Sequence, residues 1–327
     1  MKNLFITGVS GYFGHKLVSM FDQKDEVKQI IGIDIKPPSL PSKKLVFIKH
    51  DVRDDMYPTL SKHSIDWAIH AAYILPPIHN KSLMEDININ GTKNFLHSCE
   101  KAGIKQIMQC SSTTAYGFHA DNENPLTEDS PLRGNDDFTY SKNKKELELV
   151  CKEFQDAHPE INLTVIRPCF VAGPGFDNPL SRYLKKKLVI LPLNTAPFQF
   201  IHEDDLVEII YFLLSKSKKG IYNLAADGTM TFDEMLKILG NWPLKLPAPV
   251  MWYLNGIAWF LHLTFMSEFP SPAMNQVLYP WIASNEKIKR ELGYKFKYTT
   301  RQAFEDFARH VKETEEPFLK KIIKGKK

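Results

Sequence analysis

From the N-terminus to about residue 225, short continuous apolar runs alternate with longer stretches whose apolar residues recur every three to four positions. The runs read as strands buried on both faces, and the stretches between them as amphipathic helices. Leu4-Phe5-Ile6 is the first strand, and residues 29–34, 45–48, 66–70, 105–110 and 163–167 give five more. Leu17, Val18 and Phe21 mark the first helix, residues 83–102 a later one, and residues 138–157 the longest. Strand and helix in strict alternation predict a parallel sheet with helices on both faces, an α/β Rossmann-like doubly wound fold. Beyond residue 173 the pattern loosens. Residues 180–197 show mixed polarity and no long periodic run, residues 198–202 read as a strand returning to the main sheet, and residues 203–214 as a helix led by Glu203, Asp204 and Asp205. Residues 220–224 form another strand and residues 303–311 a closing helix. The expected organisation is a nucleotide-binding domain over residues 1–173, completed by about 198–225. A smaller C-terminal substrate-binding lobe takes residues 174–197 and 226–300, and residues 301–327 are a closing helix with a basic tail.

The turn after the first strand changes this from a fold to a site. Gly8, Gly11 and Gly14 fall between that strand and its helix. A strand ending in such a turn leaves bare N–H groups at the positive end of the helix, where a pyrophosphate can sit. Gly8 permits the tight turn, Gly11 the close approach of phosphate, and Gly14 the packing of helix on strand. Asp34 ends the second strand about twenty residues beyond Gly14, where it can accept hydrogen bonds from the ribose hydroxyls and repel a 2′-phosphate. NAD is therefore expected over NADP, with Lys36 as the opposing influence. Asp51, after the third strand, is placed for the adenine amino group, and Ala71 and Ala72 end the fourth where backbone must approach a ligand.

Tyr140 and Lys144 are one helical turn apart and share a face. A free phenol has a pKa of about 10, so bringing it near 7 takes about 4 kcal/mol of differential stabilisation. Lys144 and an oxidised nicotinamide, both cationic, can supply it. Ser112, at the end of the fifth strand, can hydrogen-bond the same substrate oxygen.

Composition narrows the partners. With 43% hydrophobic and 24% charged residues and a net charge of +4, the 327-residue chain has a globular balance and no basic field for nucleic acid. Cys99, Cys110, Cys151 and Cys169 are widely spaced, without a C-x-x-C pair, so neither a zinc site nor a disulfide framework is expected. A reducing, cytoplasmic setting fits, and the early glycines interrupt any signal-peptide core.

Together these segments resemble the extended short-chain dehydrogenase/reductase family, of NAD-dependent epimerase/dehydratase type. TGVSGYFG, HAA, NINGT, SSTTAYG, YSKNK, RPCFVAGPG, FIHEDDL and YNLAADGTMTFDEM resemble its landmarks, in order, from about residue 2 to 311. The resemblance implies Tyr140 as general base or acid, Lys144 as the group that lowers its pKa and holds the ribose, and Ser112 as the polariser of the reacting oxygen. It implies Asn88 as a backbone brace, and adds Tyr12, Phe13, Val52, Ala71, Ala72 and Pro168 to the cofactor contacts, with no metal. It further implies a homodimer paired through the helices holding Asn88 and Tyr140.

Departures from the pattern bear on substrate. Thr113 and Thr114 stand where the family's dehydratases carry an acid pair, which disfavours water elimination. Phe170 replaces an Asn that helps many nucleotide-sugar enzymes hold the diphosphate, and Ala172 replaces a usual Tyr. The first expectation is an NAD-dependent epimerase acting on a sugar or nucleotide-sugar. The alternative is a dehydrogenase of an apolar, sterol-like or hydroxy-lipid alcohol. A non-catalytic NAD-binding regulator is the third and is opposed by the intact Ser112, Tyr140 and Lys144. Residues 246–266 lack Lys, Arg, Asp and Glu. They read as a substrate-lobe helix, packed or lining the pocket, rather than a membrane span, and Trp252, Trp259 and Phe260 suit a bilayer surface. Residues 317–327, PFLKKIIKGKK, suit either a solvated end or weak peripheral contact with an anionic membrane.

Overall fold

The computed structural model describes residues 1–324, with side chains to residue 314, so the lysine-rich tail expected to touch a membrane lies outside the described side chains. Eleven strands form: β1 (Lys2–Thr7), β2 (Val27–Asp34), β3 (Leu45–Lys49), β4 (Trp67–His70), β5 (Gln106–Cys110), β6 (Asn162–Pro168), β7 (Phe170–Ala172), β8 (Leu188–Pro192), β9 (Phe200–His202), β10 (Gly220–Leu224) and β11 (Trp242–Leu246). Seven of them make one sheet in the order β10-β6-β5-β4-β1-β2-β3, every pair parallel. The strand order reverses beside β1, so a crevice opens past its C-terminal end, where doubly wound folds bind their ligands.

Apolar side chains fill both faces of this sheet. Leu4 and Ile6 point into one cluster with Leu17, Val18 and Phe21, and Phe5 points into another with Phe95 and Leu147. Alternate residues of one strand thus serve opposite layers, which is why these strands read as unbroken apolar runs. A third cluster, built around Phe176, Phe198, Phe200, Phe232 and Trp281, is the core of the smaller lobe. The last helix, Thr300–Lys324, is part of it through Ala303, Phe304 and Phe307.

Two expectations are corrected. Residues 198–202 do not return to the main sheet: β9 pairs in parallel with β7 in a separate two-stranded ribbon, Phe170 opposite Phe200. The edge they were to extend is taken by β10, which pairs with β6 from Thr164 to Pro168. The segment 174–197 is also less irregular than the mixed polarity of residues 180–197 indicates. It holds a helix, Pro179–Leu184, whose Asn178 and Ser181 form a reciprocal capping box, and then β8, which pairs with β11.

Candidate active site

The glycine turn is built for an anion. Gly8 has a positive φ of 77°, and a Cβ there would lie 2.7 Å from the Ala72 Cα. A Cβ on Gly14 would lie 2.0 Å from the Gly8 carbonyl oxygen, so helix and strand meet only because that position is bare. Gly11 differs. Its φ is ordinary at −77°, and a Cβ would meet only the Gly8 carbonyl oxygen, at 3.5 Å. Nothing within the chain requires glycine there, and the bare position leaves the space across the turn open. Gly11 is also the N-cap of the helix Tyr12–Asp22, which has no side-chain cap and no acid in its first turn. Its first N–H groups thus lack the partners that capping provides elsewhere, and they fit a pyrophosphate.

Thr7 ties this turn to β4. Its Oγ1 accepts hydrogen bonds from the N–H groups of Ala71 and Ala72 at 3.2 and 3.1 Å and lies 2.7 Å from His70 Nδ1. Burial, helped by the Lys144 charge, pushes the His70 imidazole down to about 3, so the ring is neutral and shares one hydrogen bond with the Thr7 hydroxyl through Nδ1. Asp34, ending β2, takes the Ser10 N–H on one oxygen at 3.0 Å and the Lys36 N–H on the other at 3.3 Å. Past β3, both Asp51 oxygens are held by Arg53, at 3.0 and 2.7 Å, so any adenine contact there shares an acceptor with the guanidinium. Val52 is buried, its carbonyl held by Asn94 at 2.7 Å. Asn88, in the π-helical turn Asp86–Asn90, accepts the Ile74 N–H at 2.8 Å and donates to its carbonyl at 3.3 Å, bracing the chain that leaves β4.

The side chains of Tyr12 and Phe13 are both engaged away from the glycine turn. The Tyr12 phenol donates to Glu203, a buried acid that also pairs with Lys16 at 2.5 Å and accepts the Gly175 N–H at 3.1 Å. Phe13 packs against the sheet's core.

Ser112 caps the short turn Thr113–Tyr116: its Oγ accepts the Thr114 N–H at 3.2 Å and donates to the Pro168 carbonyl at 3.3 Å. Opposite stands Tyr140, in the first turn of the helix Thr139–Ala157. Burial raises its phenol to about 12, and the nearby Ser112 and Thr114 hydroxyls work against that rise. Lys144 is buried, and burial pushes its ammonium down to about 7. It does not reach the Tyr140 oxygen. Its Nζ donates to the Cys110 carbonyl at 3.0 Å, 3.4 Å from the centre of the Tyr73 ring and 5.9 Å from that of Tyr140. The carbonyl at the end of β5 is its one hydrogen-bond partner, and it draws the side chain toward the sheet.

A buried ion pair fixes this helix on the sheet. Glu148, one turn past Lys144, meets Arg167 through Nε at 2.7 Å and Nη2 at 2.5 Å, and accepts the Ser111 hydroxyl at 2.6 Å. Removing one partner of such a pair leaves an uncompensated buried charge, at about 3–5 kcal/mol. Away from the sheet the site is aromatic. Phe138 lies 6.1 Å from Tyr140, Phe118 lies 5.0 Å from Trp281, and Trp281 lies 5.4 Å from Phe170, which stacks on Phe198.

The model of the NAD dependent epimerase/dehydratase family matches residues 4–225. This chain belongs to that family. The family's cofactor is NAD, and the glycine turn, the uncapped helix and Asp34 fit it. An uncharacterised protein of Mycobacterium tuberculosis is 25% identical over 317 residues, covering 94% of this chain and 84% of that protein. The N-acetyl-alpha-D-glucosaminyl-diphospho-ditrans,octacis-undecaprenol 4-epimerase of Escherichia coli O157:H7 is 26% identical over 242 residues, covering 72% and 70%. Among solved structures, dTDP-glucose 4,6-dehydratase from Streptomyces venezuelae with NAD and TYD bound superposes with a TM-score of 0.75 at 19% identity, over 95% of this chain and 97% of that one. At that identity the likeness speaks for the fold.

Two side chains of this family member escape sequence reasoning. Tyr73 stands edge-on to Tyr140 at 5.7 Å and roofs Lys144, and Thr114, whose buried Oγ1 has no hydrogen-bond partner among the described residues, lies near the phenol. Their signals were present, Tyr73 directly after HAA and Thr114 two residues after Ser112, but neither spacing names a role without the facing helix.

Proposed function

We propose that this chain moves a hydride between NAD and a secondary carbinol carbon, acting as an epimerase or oxidoreductase on a substrate whose reacting part is a sugar ring. The observation that carries this reading is the convergence of Ser112, Tyr140 and Lys144 at the end of β5, beside the uncapped helix N-terminus of the glycine turn. Bound NAD supplies the hydride acceptor and a positive charge at the nicotinamide. Ser112 and Thr114 orient the carbinol oxygen against Tyr140, which, once it has given its own proton to solvent, takes the hydroxyl proton as a phenolate when the hydride leaves and returns it as a phenol when the hydride comes back. From about 12 to neutrality the phenol needs about 7 kcal/mol of stabilisation of its anion, and the Lys144 ammonium supplies part of it across a low-dielectric gap. Thr113 and Thr114 offer no acid to protonate a leaving hydroxide, so elimination is not proposed. The sugar is supported by the Escherichia coli relative, whose named substrate carries one on a polyprenyl diphosphate.

A second reading, oxidation of an apolar alcohol, is favoured by the aromatic wall around Phe170. Every arginine of the chain already faces an acid within 4.0 Å, which leaves none uncommitted for a nucleotide diphosphate. The experiment is incubation with NAD and either an N-acetylglucosaminyl-diphospho-polyprenol or a sterol 3-alcohol. The first reading expects the C4 epimer without net NADH, and the second expects stoichiometric NADH at 340 nm. Absence of both, with neither signal distinguishable from Tyr140→Phe, refutes the proposed chemistry. We extend the reading to a homodimer through the helical stretch 81–101, which holds Asn88, and the helix Thr139–Ala157, which holds Tyr140, where Leu83 and Leu149 are exposed. Size-exclusion chromatography of Leu149→Arg tests it.

A further inference from the structure

The helix Ala248–Phe260 carries no charged residue, and its apolar side chains cover its whole circumference. A helix of that kind ordinarily lies buried. Here one side packs inward: Ala258 is 2% exposed, and Asn255 donates to the Phe269 carbonyl at 2.9 Å. The other side faces outward, with Tyr253 at 74%, Ile257 at 57% and Phe260 at 79% exposure, and Val250, Leu254 and Leu261 complete the stripe. Positions 250, 253, 254, 257, 260 and 261 follow the helical period, so this is one continuous face. Phe265, at 74% exposure, and Met266 extend it past the helix end. Apolar surface of this extent marks a contact surface. The two tryptophans expected to rest on a bilayer, Trp252 and Trp259, are instead only partly exposed, and Tyr253 and Phe260 take the outward positions.

Two further observations say what the face meets. First, the segments that build it, residues 178–202 and 235–267, contain no Asp or Glu. They do contain Lys185, Lys186, Lys187 and Lys237, which face no acid within 4.0 Å among the described residues, whereas Arg182 pairs with Glu268 and Asp177 and Lys245 with Asp233; Lys186 donates to the Phe265 carbonyl at 3.1 Å, which puts its cation beside the apolar tip. An apolar face with the lysine run 185–187 beside it and no acid on the helix itself complements an anionic lipid surface. Second, the end of the helix meets the loop that leaves β4. Trp259 and His262 stack on His79 at 4.0 and 3.8 Å. His79 ends the short loop that starts at Tyr73, the ring against Tyr140 and Lys144. Among the described residues no helix is long and apolar enough to cross a membrane, so the contact is peripheral.

We infer that the outward face of the helix Ala248–Phe260, with Phe265 and Met266, docks into the headgroup layer of an anionic membrane, and that the substrate enters from the bilayer between this helix and the loop 74–79. The substrate is then amphiphilic: an apolar chain stays in the lipid while a hydroxyl-bearing head reaches Tyr140. The docking stands by itself, and the entry route rests on the proposed carbinol chemistry.

The test is co-sedimentation of the full chain with phosphatidylcholine vesicles with and without phosphatidylglycerol, at low and high salt. Wild type pellets with the anionic vesicles at low salt and is released by high salt. Tyr253→Asp with Phe260→Asp lowers the bound fraction at least tenfold, and Lys185→Glu with Lys187→Glu does so on anionic vesicles. An NAD-dependent rise in melting temperature equal to that of wild type verifies that each variant is folded. Should the aspartate variant fail to fold, wild-type tryptophan quenching by brominated phosphatidylglycerol gives the answer, since Trp242 is 73% exposed on β11, in the adjoining ribbon. Wild type remaining in the supernatant at low salt, or showing no quenching, overturns the inference. So does a wild-type dimer that Phe260→Asp converts to monomer without change in vesicle binding, which assigns the face to a second copy. Vesicle binding without turnover of any carbinol leaves the docking and removes the chemistry, and turnover of a water-soluble substrate without vesicle binding does the reverse.

Discussion

Alanine at Gly11 and alanine at Gly14 separate the cofactor's claim on the glycine turn from the fold's. At Gly14 the added Cβ would sit 2.0 Å from the Gly8 carbonyl oxygen and 2.7 Å from the Val9 Cα. Both are backbone atoms, so helix and strand must part by more than 1 Å. We expect a loss of stability on the order of 3 kcal/mol or more, with cofactor binding lost alongside. At Gly11 the added Cβ meets one atom at ordinary contact distance, and the backbone is extended. Glycine-to-alanine at a helix N-cap then costs about 1 kcal/mol or less. Its methyl group points over the uncapped N–H groups, into the space assigned to the pyrophosphate. NAD affinity should fall at least tenfold, equivalent to about 1.4 kcal/mol. Chemical denaturation gives the first quantity and titration calorimetry with NAD the second. A Gly11→Ala protein that binds NAD within twofold of wild type refutes the placement of the phosphates. A Gly14→Ala protein as stable as wild type refutes the packing argument.

Tyr140→Phe should lower kcat at least a thousandfold with NAD affinity within threefold of wild type, because the phenol acts on the reacting oxygen; stopped-flow reduction of NAD and calorimetry read the two, and undiminished turnover removes Tyr140 from the mechanism. Asp34→Ala should narrow the preference for NAD over NADP by tenfold or more in paired titrations, and equal affinities in wild type would show that Lys36 overrides the acid. Lys144 gives a pH dependence: folded it titrates near 7, well below an ordinary lysine, so between those values the unfolded chain holds the extra proton. Its contribution is therefore fully present above the ordinary lysine value and is lost progressively as pH falls from there to about 7, by about 5 kcal/mol in all. Denaturation of the NAD-free protein from pH 6 to 10 should show stability rising relative to Lys144→Met, and parallel curves would contradict the burial argument.

What the sequence by itself determined is what rests on neighbouring residues. The apolar runs of the main sheet, the helix carrying Tyr140 and Lys144, and the spacing of Gly8, Gly11 and Gly14 each express a constraint of the local backbone, and each is found where the pattern puts it. Asp34 belongs here too, since a strand of given length delivers its last residue to a known edge. What only the tertiary structure decided is the choice of partner. An apolar segment must be buried, but its hydrophobicity does not say against what: β9 pairs with β7, while β10 holds the edge of β6. The helical period put Lys144 beneath Tyr140, yet the acceptor that captures its ammonium, the Cys110 carbonyl, lies 34 positions earlier on another element. Phe170 was legible as the loss of an asparagine, while its stacking on Phe198 and contact with Trp281 needed three distant segments brought together. The same holds for residues 248–260, where composition alone gave a helix without polarity. Only the packing of one side on Ser271 and Phe269 fixed which residues face outward, because a uniformly apolar helix has no preferred face until neighbours cover part of it.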